Sequence, residues 1–526
     1  MMVRLLHIPV AVLLLGVSSV YGQGPADGKG SEPISTLGKS LNGISGLRIG
    51  CEDGMAAGFP CREVDLMSFM TVAELAGAND PSKIRLNDIW GWTDPETRRE
   101  YALVGLSLGT AFVDVTDPVE PRFLGILPMP ATARSSVWRD IKVYENYAFV
   151  VADGADLHGM QVFDLTRLRN PSDVEFTEDS HYSGFGSAHN IALNTESGFA
   201  YAVGSNGAGE TCGGGLHMID VRNPLEPLFA GCFSDPTTGN RGTGYSHDVQ
   251  CVIYHGPDLD YQGREICFGL NENSVSISDV TDKTNPIAIS VGRYPDFGYV
   301  HQGWLTADHR YLLVDDESDE RRLGRNTHTK IFDVVDLDVP VMAASFENST
   351  RSIDHNLYVA GNLGFQANYT SGLRIVDLRD PLNPEEIAYF DTTPSDSSVT
   401  FAGAWSVYPF FESRHVVVSS IGEGMFVLSP RVGDFEIPEE TAVSSVFPNP
   451  FNASTTFNIA LVEPEVISIR VYDSLGRLVV VLHDGMLSGG RVHRFSLDAG
   501  GLPSGAYMIR VEAQTFESTR AVTLVK

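Results

Sequence analysis

Between Asp88 and Pro430 a unit of about 50 residues recurs seven times, and that period limits the fold more tightly than any single residue does. Each unit opens with a polar residue and a short apolar strand. The openings are Asn87-Asp88-Ile89-Trp90, Arg139-Asp140-Ile141-Lys142, His189-Asn190-Ile191-Ala192, His247-Asp248-Val249-Gln250, His301-Gln302-Gly303-Trp304, His355-Asn356-Leu357-Tyr358 and Trp405-Ser406-Val407-Tyr408. A second strand, such as Tyr147-Ala148-Phe149-Val150-Val151, is β-branched or aromatic and suits a half-buried pleat. A third, apolar strand ends in Asp (Val113-Asp114, Phe163-Asp164, Ile219-Asp220, Ile277-Ser278-Asp279, Phe332-Asp333, Val376-Asp377), a carboxylate placed to cap turn amides. A turn such as Thr116-Asp117-Pro118 then leads into a fourth strand. Four strands at this period predict one propeller blade, and seven openings predict an all-β, seven-bladed β-propeller over residues 64–430.

The seventh unit ends at Leu428-Ser429-Pro430, lacks the third-strand Asp and has no fourth strand after it, which would leave a sheet edge unpaired. Val64-Asp65-Leu66-Met67-Ser68-Phe69-Met70, ahead of blade one, has fourth-strand character. We expect residues 64–70 to close the ring.

At the N-terminus, Arg4 precedes an apolar run from Ile8 to Leu15 and then small residues, which fits a signal peptide over 1–22, too short to favour a membrane span. Residues 23–63 are rich in Gly and Ser and predict a loose lead-in. The six cysteines lie beyond the leader and suit three disulfides in an oxidising compartment, with fifteen pairings open. Cys51 and Cys61 bracket a short Gly-rich loop, Cys251 and Cys267 lie on consecutive strands of one blade, and Cys212 with Cys232 follows by elimination. No cysteine spacing matches a structural zinc site. The formal charge of −30, from 67 acidic and 37 basic side chains, disfavours nonspecific nucleic-acid binding. It suits a solvated, exported surface.

After a linker over 431–443, alternating segments at Thr455–Leu461, Ile467–Tyr472, Leu478–Leu482, Arg491–Leu497 and Ala506–Val511, with turns expected at Asp484-Gly485 and Ser488-Gly489-Gly490, predict a small Ig-like β-sandwich over 444–526. Phe447-Pro448-Asn449-Pro450-Phe451-Asn452, Val471-Tyr472-Asp473-Ser474-Leu475-Gly476-Arg477 and Gly501-Leu502-Pro503-Ser504-Gly505-Ala506-Tyr507 resemble the C-terminal sorting domain of type IX secretion cargo. That resemblance implies a partner, the secretion machinery, and export across an outer membrane with release or surface attachment. Roughly residues 50–430 resemble the choice-of-anchor B family of LVIVD-repeat propellers. The resemblance rests on Asn87 to Asp94, His158-Gly159-Met160-Gln161-Val162-Phe163-Asp164-Leu165, Gly213 to Asp220, Tyr299 to Leu305 and Asp354 to Tyr358. It implies architecture and address rather than a settled activity.

Chemistry is expected where the innermost strands begin, around one mouth of the channel. Four consecutive blades place His189, His247, His301 and His355 there, flanked by Arg139 and Trp405 as ligand contacts. A ring of imidazoles suits Zn²⁺, Cu²⁺ or proton transfer; the plainer alternative is that each imidazole hydrogen-bonds to a neighbouring blade. Turns between second and third strands should rise on the same face, carrying Asp153 and Asp156, Asn271-Glu272-Asn273, and Asp315-Asp316-Glu317 with Asp319 and Glu320. Such oxygen-rich loops suit Ca²⁺, or simply solvent. Asp258 to Gly263 begins like a calcium loop but lacks its final Glu. Gly204-Ser205-Asn206-Gly207-Ala208-Gly209 resembles a phosphate loop in composition only, and no serine sits in a nucleophile elbow.

Three readings follow. The leading one is a binding module for a glycan, protein or small molecule. The second is a metal-dependent hydrolase or lyase with the four histidines as ligands, Asp316 or Glu317 as catalytic base and Arg139 orienting an anion. The third is a structural surface protein.

Overall fold

The computed structural model describes residues 42–526 apart from 173, 433–440, 445, 447, 453, 462–464, 488–490 and 499. The leader expected over 1–22 and most of the linker expected over 431–443 lie outside these residues.

Local hairpins explain the repeat. In blade one, Leu86–Thr93, Glu100–Leu106, Gly109–Asp114 and Arg122–Pro128 pair in sequence order as an antiparallel meander. The same order recurs in the sheets that begin with Arg139–Tyr144, Asn190–Asn194, Asp248–Ile253, Val300–Leu305 and Asn356–Ala360. Each first strand packs against the first strand of the next sheet, and Ala404–Tyr408 packs against Leu86–Thr93, so the sheets close on themselves as a propeller. Every third-strand Asp accepts a backbone N–H two residues on, from Thr116, Thr166, Arg222, Thr281, Val335 and Arg379, which starts the turn into the fourth strand.

Blade seven departs from this scheme for a physical reason. Its third strand, Gly424–Pro430, pairs with Val64–Thr71 from the other end of the propeller. With its neighbour strand supplied from before blade one, it needs no turn into a fourth strand and so no capping Asp, and Leu428 instead joins the core. Phe69 stacks on Phe426 with centroids 4.5 Å apart, and Phe59, Phe390, Leu66 and Val418 fill the same cluster.

The lead-in expected to be loose is ordered over its described part. Ile44 and Ile49 bridge to Phe69 and Leu66, and Met55–Ala56 with Phe59–Arg62 forms a hairpin that extends blade six through Cys61 and Phe390. The reason is burial: Ala56, Phe59 and Cys61 are enclosed, and the Cys51–Cys61 disulfide ties the hairpin. The other cysteines are joined as Cys212–Cys232 and Cys251–Cys267. Asn206–Gly209, from the glycine-rich loop, is a strand paired with Phe185–Ser187.

The C-terminal region packs Ala442–Val443, Ser454–Leu461 and Arg491–Asp498 in one sheet. The other holds Leu478–Leu487, Glu465–Asp473, Gly505–Glu512 and Glu517–Leu524. Phe457, Ile469, Val471, Ile509 and Val511 lie in the core between them. Two expectations change here. The sandwich takes its first strand from the expected linker, at Ala442–Val443, because Val443 is buried in the core. Asp484-Gly485 is not a turn: the strand runs on through both, with a bulge nearby and Asp484 paired to Arg470 at 3.0 Å.

Candidate functional site at the propeller mouth

Repeat equivalence sets the four histidines side by side, with centroid distances of 4.2 Å from His189 to His247, 4.2 Å from His247 to His301 and 4.6 Å from His301 to His355. Asn87, Arg139 and Trp405 hold the other equivalent positions. Backbone bulges re-aim the chain at this point in blades one, five and seven.

Two of the imidazoles make the inter-blade hydrogen bonds of the plainer reading. His247 Nδ1 lies 3.0 Å from the His301 carbonyl, and His355 Nδ1 lies 2.6 Å from the Trp405 carbonyl. Donation from Nδ1 ties each blade to the next and leaves the Nε2 lone pair free. His301 Nδ1 is buried facing the His355 backbone in the same sense, but outside strict hydrogen-bond geometry.

The column one residue further on stitches the same joints. Asp88 accepts from Ile141 N at 3.0 Å, Asp140 from Ile191 N at 2.6 Å and Gln302 from Leu357 N at 2.9 Å, while Asn190 and Asn356 donate to the His247 and Trp405 carbonyls. Below, Lys142 bridges Asp140 at 2.5 Å and Asp88 at 3.5 Å, and Trp90, Trp304, Tyr358 and Phe410 cluster across the channel. Burial, with Asp140 nearby, raises Asp248 to about 7. Reading the repeat one column further would have revealed this acidic layer.

The four histidines do not converge on one point. Three groups do: His301 Nε2 and His355 Nε2 lie 3.8 and 3.7 Å from Glu317 Oε1, and all three ligand atoms fall within 4.8 Å of one another. The Tyr369 hydroxyl donates to the same Glu317 oxygen at 2.9 Å. Tyr369 has φ 30°, a left-handed backbone that bulky residues seldom adopt, held here beside the site. Burial holds His301 well below the usual imidazole range and His355 at about 3, so both rings are neutral at pH 7.

The neighbouring residues have distinct parts. His189 Nδ1 pairs with Asp153 at 3.0 Å, and that carboxylate raises its affinity for a proton despite burial, which acts the other way. Asp316, expected as an alternative base, is buried and accepts from Gly298 N, Tyr299 N and the Tyr294 hydroxyl. Arg139 is 2 % exposed: its Nε donates to the Leu106 carbonyl and Nη1 meets His158 Nε2 at 2.7 Å, so it braces the wall beneath the rim. Trp405 stands at the rim, 4.6 Å from His355, near Tyr369 and the exposed Phe401. Of the acidic loops, Asp156 is exposed beside Arg134, and Asn271 is buried against Ser246 and Ser276. Asp258 comes close to Asp336 and Asp338 at the surface, where it accepts from Leu337 N.

Residues 445–525 match the secretion system C-terminal sorting domain, and residues 138–159 match the LVIVD repeat. No curated protein matches the chain. Similar solved structures include a protein from Lactobacillus plantarum (11% identity, 79% of this chain and 100% of that one, TM-score 0.42). Others are the C-terminal WD40 domain of Sif2 (9% identity, 70% and 91%, TM-score 0.40) and a hypothetical selenium-binding protein from Sulfolobus tokodaii (11% identity, 60% and 85%, TM-score 0.39). Among the described residues no helix is long and apolar enough to cross a membrane. The chain is thus a propeller carrying an LVIVD repeat and a type IX secretion sorting domain, which directs it to the cell surface or the extracellular space.

Proposed function

We propose that this exported propeller holds a divalent transition metal at its mouth through His301, His355 and Glu317, and grips an oxygen-bearing ligand through the ion's open coordination positions. The convergence of these three groups carries the reading. Two ligand atoms at about 2.1 Å from a tetrahedral zinc lie about 3.4 Å apart, so the separations of 3.7 and 3.8 Å need to close by a few tenths of an ångström, and the one between the two imidazole nitrogens, within 4.8 Å, by at most about 1.4 Å. Two imidazoles and one carboxylate leave sites open on a metal, the pattern of reactive or ligand-binding centres rather than closed structural ones. Trp405 and the exposed Phe401, packed on either side of the buried Tyr369 ring, give the rim aromatic faces suited to stacking on a sugar ring or a planar ligand.

Elemental analysis of the purified full chain after dialysis, beside His301→Ala and His355→Ala, tests this. About one equivalent of transition metal in the parent and none in the folded variants is expected. Equal content in all three would remove the mouth as the site, and no metal uptake by any would return the ring to an inter-blade role.

A catalytic reading is favoured by one observation, the His189–Asp153 pair in the same ring, with His247 between it and His301. Such a pair can serve as a general base, and it replaces Asp316 and Glu317 in that role. Asp153→Asn would then abolish turnover of an ester or glycoside panel while leaving metal content unchanged; turnover undiminished in Asp153→Asn would sink it.

A further inference from the structure

The turn that carries Glu317 to the mouth sorts its charges by burial. Asp319 and Glu320 open the short helix Asp319–Leu323 and are buried, with Lys330 standing 2.5 Å from Asp319 as their cation. Arg321 and Arg322 face outward on the next positions, and the half-buried Arg325 follows. Arg351, exposed in the connection between Val341–Glu347 and Asn356–Ala360, comes up beside the same turn: a Cβ on Gly324 would meet its Nη2 at 3.3 Å. The outer side of the turn is thereby cationic, on a chain whose formal charge is −30.

Arg321 adjoins the mouth. Its Cζ stands 5.1 Å from the ring centroid of the exposed Phe401, Phe401 lies 5.5 Å from Tyr369, and the Tyr369 hydroxyl donates to Glu317. Other cations laid over aromatic rings in this protein are anchored. Arg167, Arg222 and Lys283 each also pair with a carboxylate, and Arg322, over Phe297, donates to that residue's carbonyl at 2.5 Å. Among the described residues Arg321 meets no carboxylate and no hydrogen-bond acceptor, so the ring beneath it holds the guanidinium while its donors stay open to a ligand. Such a planar fork matches a carboxylate bidentately, and Phe401 and Trp405 match the apolar face of a sugar ring.

We propose that this strip, from Phe401 and Arg321 to Arg325 and Arg351, binds an acidic polysaccharide through the carboxylates of successive uronic acid residues. It names a ligand class for the mouth and rests on that reading for the sugar nearest the ion, whereas the strip itself needs no metal. A polymer fits better than a free sugar because the cations run on past the rim, Arg351 lying at the far end of the turn from Glu317. A carboxylate also suits the ion's open positions, since carboxylate oxygens are ordinary ligands of such metals. Duplex nucleic acid fits poorly: it carries a charge about every 1.7 Å of its axis, and the acidic surface beyond the strip repels it.

Calorimetric titration of the metal-free full chain with tetragalacturonate, beside neutral galactotetraose, tests the strip. We expect tetragalacturonate to bind at least about 10-fold tighter at about 50 mM salt, and that advantage to shrink at about 500 mM, where exposed charges are screened. Arg321→Gln should weaken tetragalacturonate about 5–10-fold and leave galactotetraose unchanged, whereas Phe401→Ala should weaken both. Both side chains are exposed, so both variants should unfold at the parent's temperature. Arg321→Gln should also bind cobalt as the parent does, so failure of the metal reading shows in the parent's cobalt spectrum and failure of this one in the calorimeter. No binding of tetragalacturonate, equal affinity for the two tetrasaccharides, or an Arg321→Gln variant that binds as the parent does would overturn the proposal. Tighter binding of a sulfated tetrasaccharide or of tetrathymidylate would overturn it equally.

Discussion

Replacing Phe69 by alanine tests whether the N-terminal strand closes the propeller. Phe69 is 1 % exposed, stacks on Phe426 at 4.5 Å and lies 6.1 Å from Phe59, so the substitution removes a buried ring from the seam that joins residues 64–71 to blade seven. Buried Phe→Ala changes typically cost about 3–5 kcal/mol, including the cavity left behind. Unfolding entropy of about 2.1 cal/mol/K per residue, over roughly 370 propeller residues, is about 0.8 kcal/mol/K, so a loss of about 4 kcal/mol should lower the melting temperature by about 5 °C. Near-UV circular dichroism during heating follows the aromatic core directly. Limited proteolysis should show the first cleavage moving to the lead-in, because a weakened seam frees that strand before any other. Leu228→Ala, at a residue 64 % exposed, is the control and should leave the transition in place. A shift for Phe69→Ala within about 1 °C of that control would refute the closing role of the strand.

Removing the Cys51–Cys61 bond by a double Ser substitution should destabilise the protein by about 2–3 kcal/mol, from the loop entropy of a ten-residue separation, measurable as a lower denaturant midpoint. His158 gives a pH signature. Burial first, and then the adjacent Arg139, hold it at about 3 against an ordinary 6.5, so the unfolded chain binds its proton while the folded one does not. Its contribution is therefore complete above pH 6.5 and lost as pH falls towards 3, about 2 kcal/mol of it by pH 5; His158→Gln should flatten that slope in denaturant titrations at several pH values. Asp94 acts lower down. Burial opposes ionisation, but Arg169, Thr97 and the Glu96 amide outweigh it and bring the carboxyl to about 2, so about 1–2 kcal/mol should persist to pH 4 and vanish as pH falls through 2, a loss missing from Asp94→Asn.

The blades are legible in the sequence because each is a local meander whose turns carry their own chemistry, so a column such as Asp114, Asp164 and Asp220 repeats visibly. The absence of that Asp in blade seven was the trace of a long-range pairing. Sequence order places four histidines in one ring, but it cannot choose which of them meet a carboxylate. That choice depends on where the strand ending at Asp316 releases the chain: Asp316 turns inward to the Gly298 and Tyr299 amides, while Glu317, one residue later, reaches the mouth and meets Tyr369 from blade six. Arg139 shares the ring's repeat position, yet Leu106 from blade one and His158 from the loop before Met160–Asp164 draw its guanidinium into the wall. The lead-in misled for a similar reason. Its Gly-rich composition hides Phe59 and Cys61, whose burial against blade six depends on residues more than 300 positions away.

Cobalt titration of the metal-free full chain, followed by visible absorption, tests the account of the mouth most directly, since the ligand-field bands of bound Co²⁺ report nitrogen and oxygen donors and coordination number. The account predicts saturation at about one equivalent with bands of a four- or five-coordinate ion, loss of those bands in His301→Ala and His355→Ala, and affinity at least about 10-fold weaker in Glu317→Gln. A parent whose spectrum stays that of hydrated cobalt, or a Glu317→Gln variant that binds as the parent does, would contradict it.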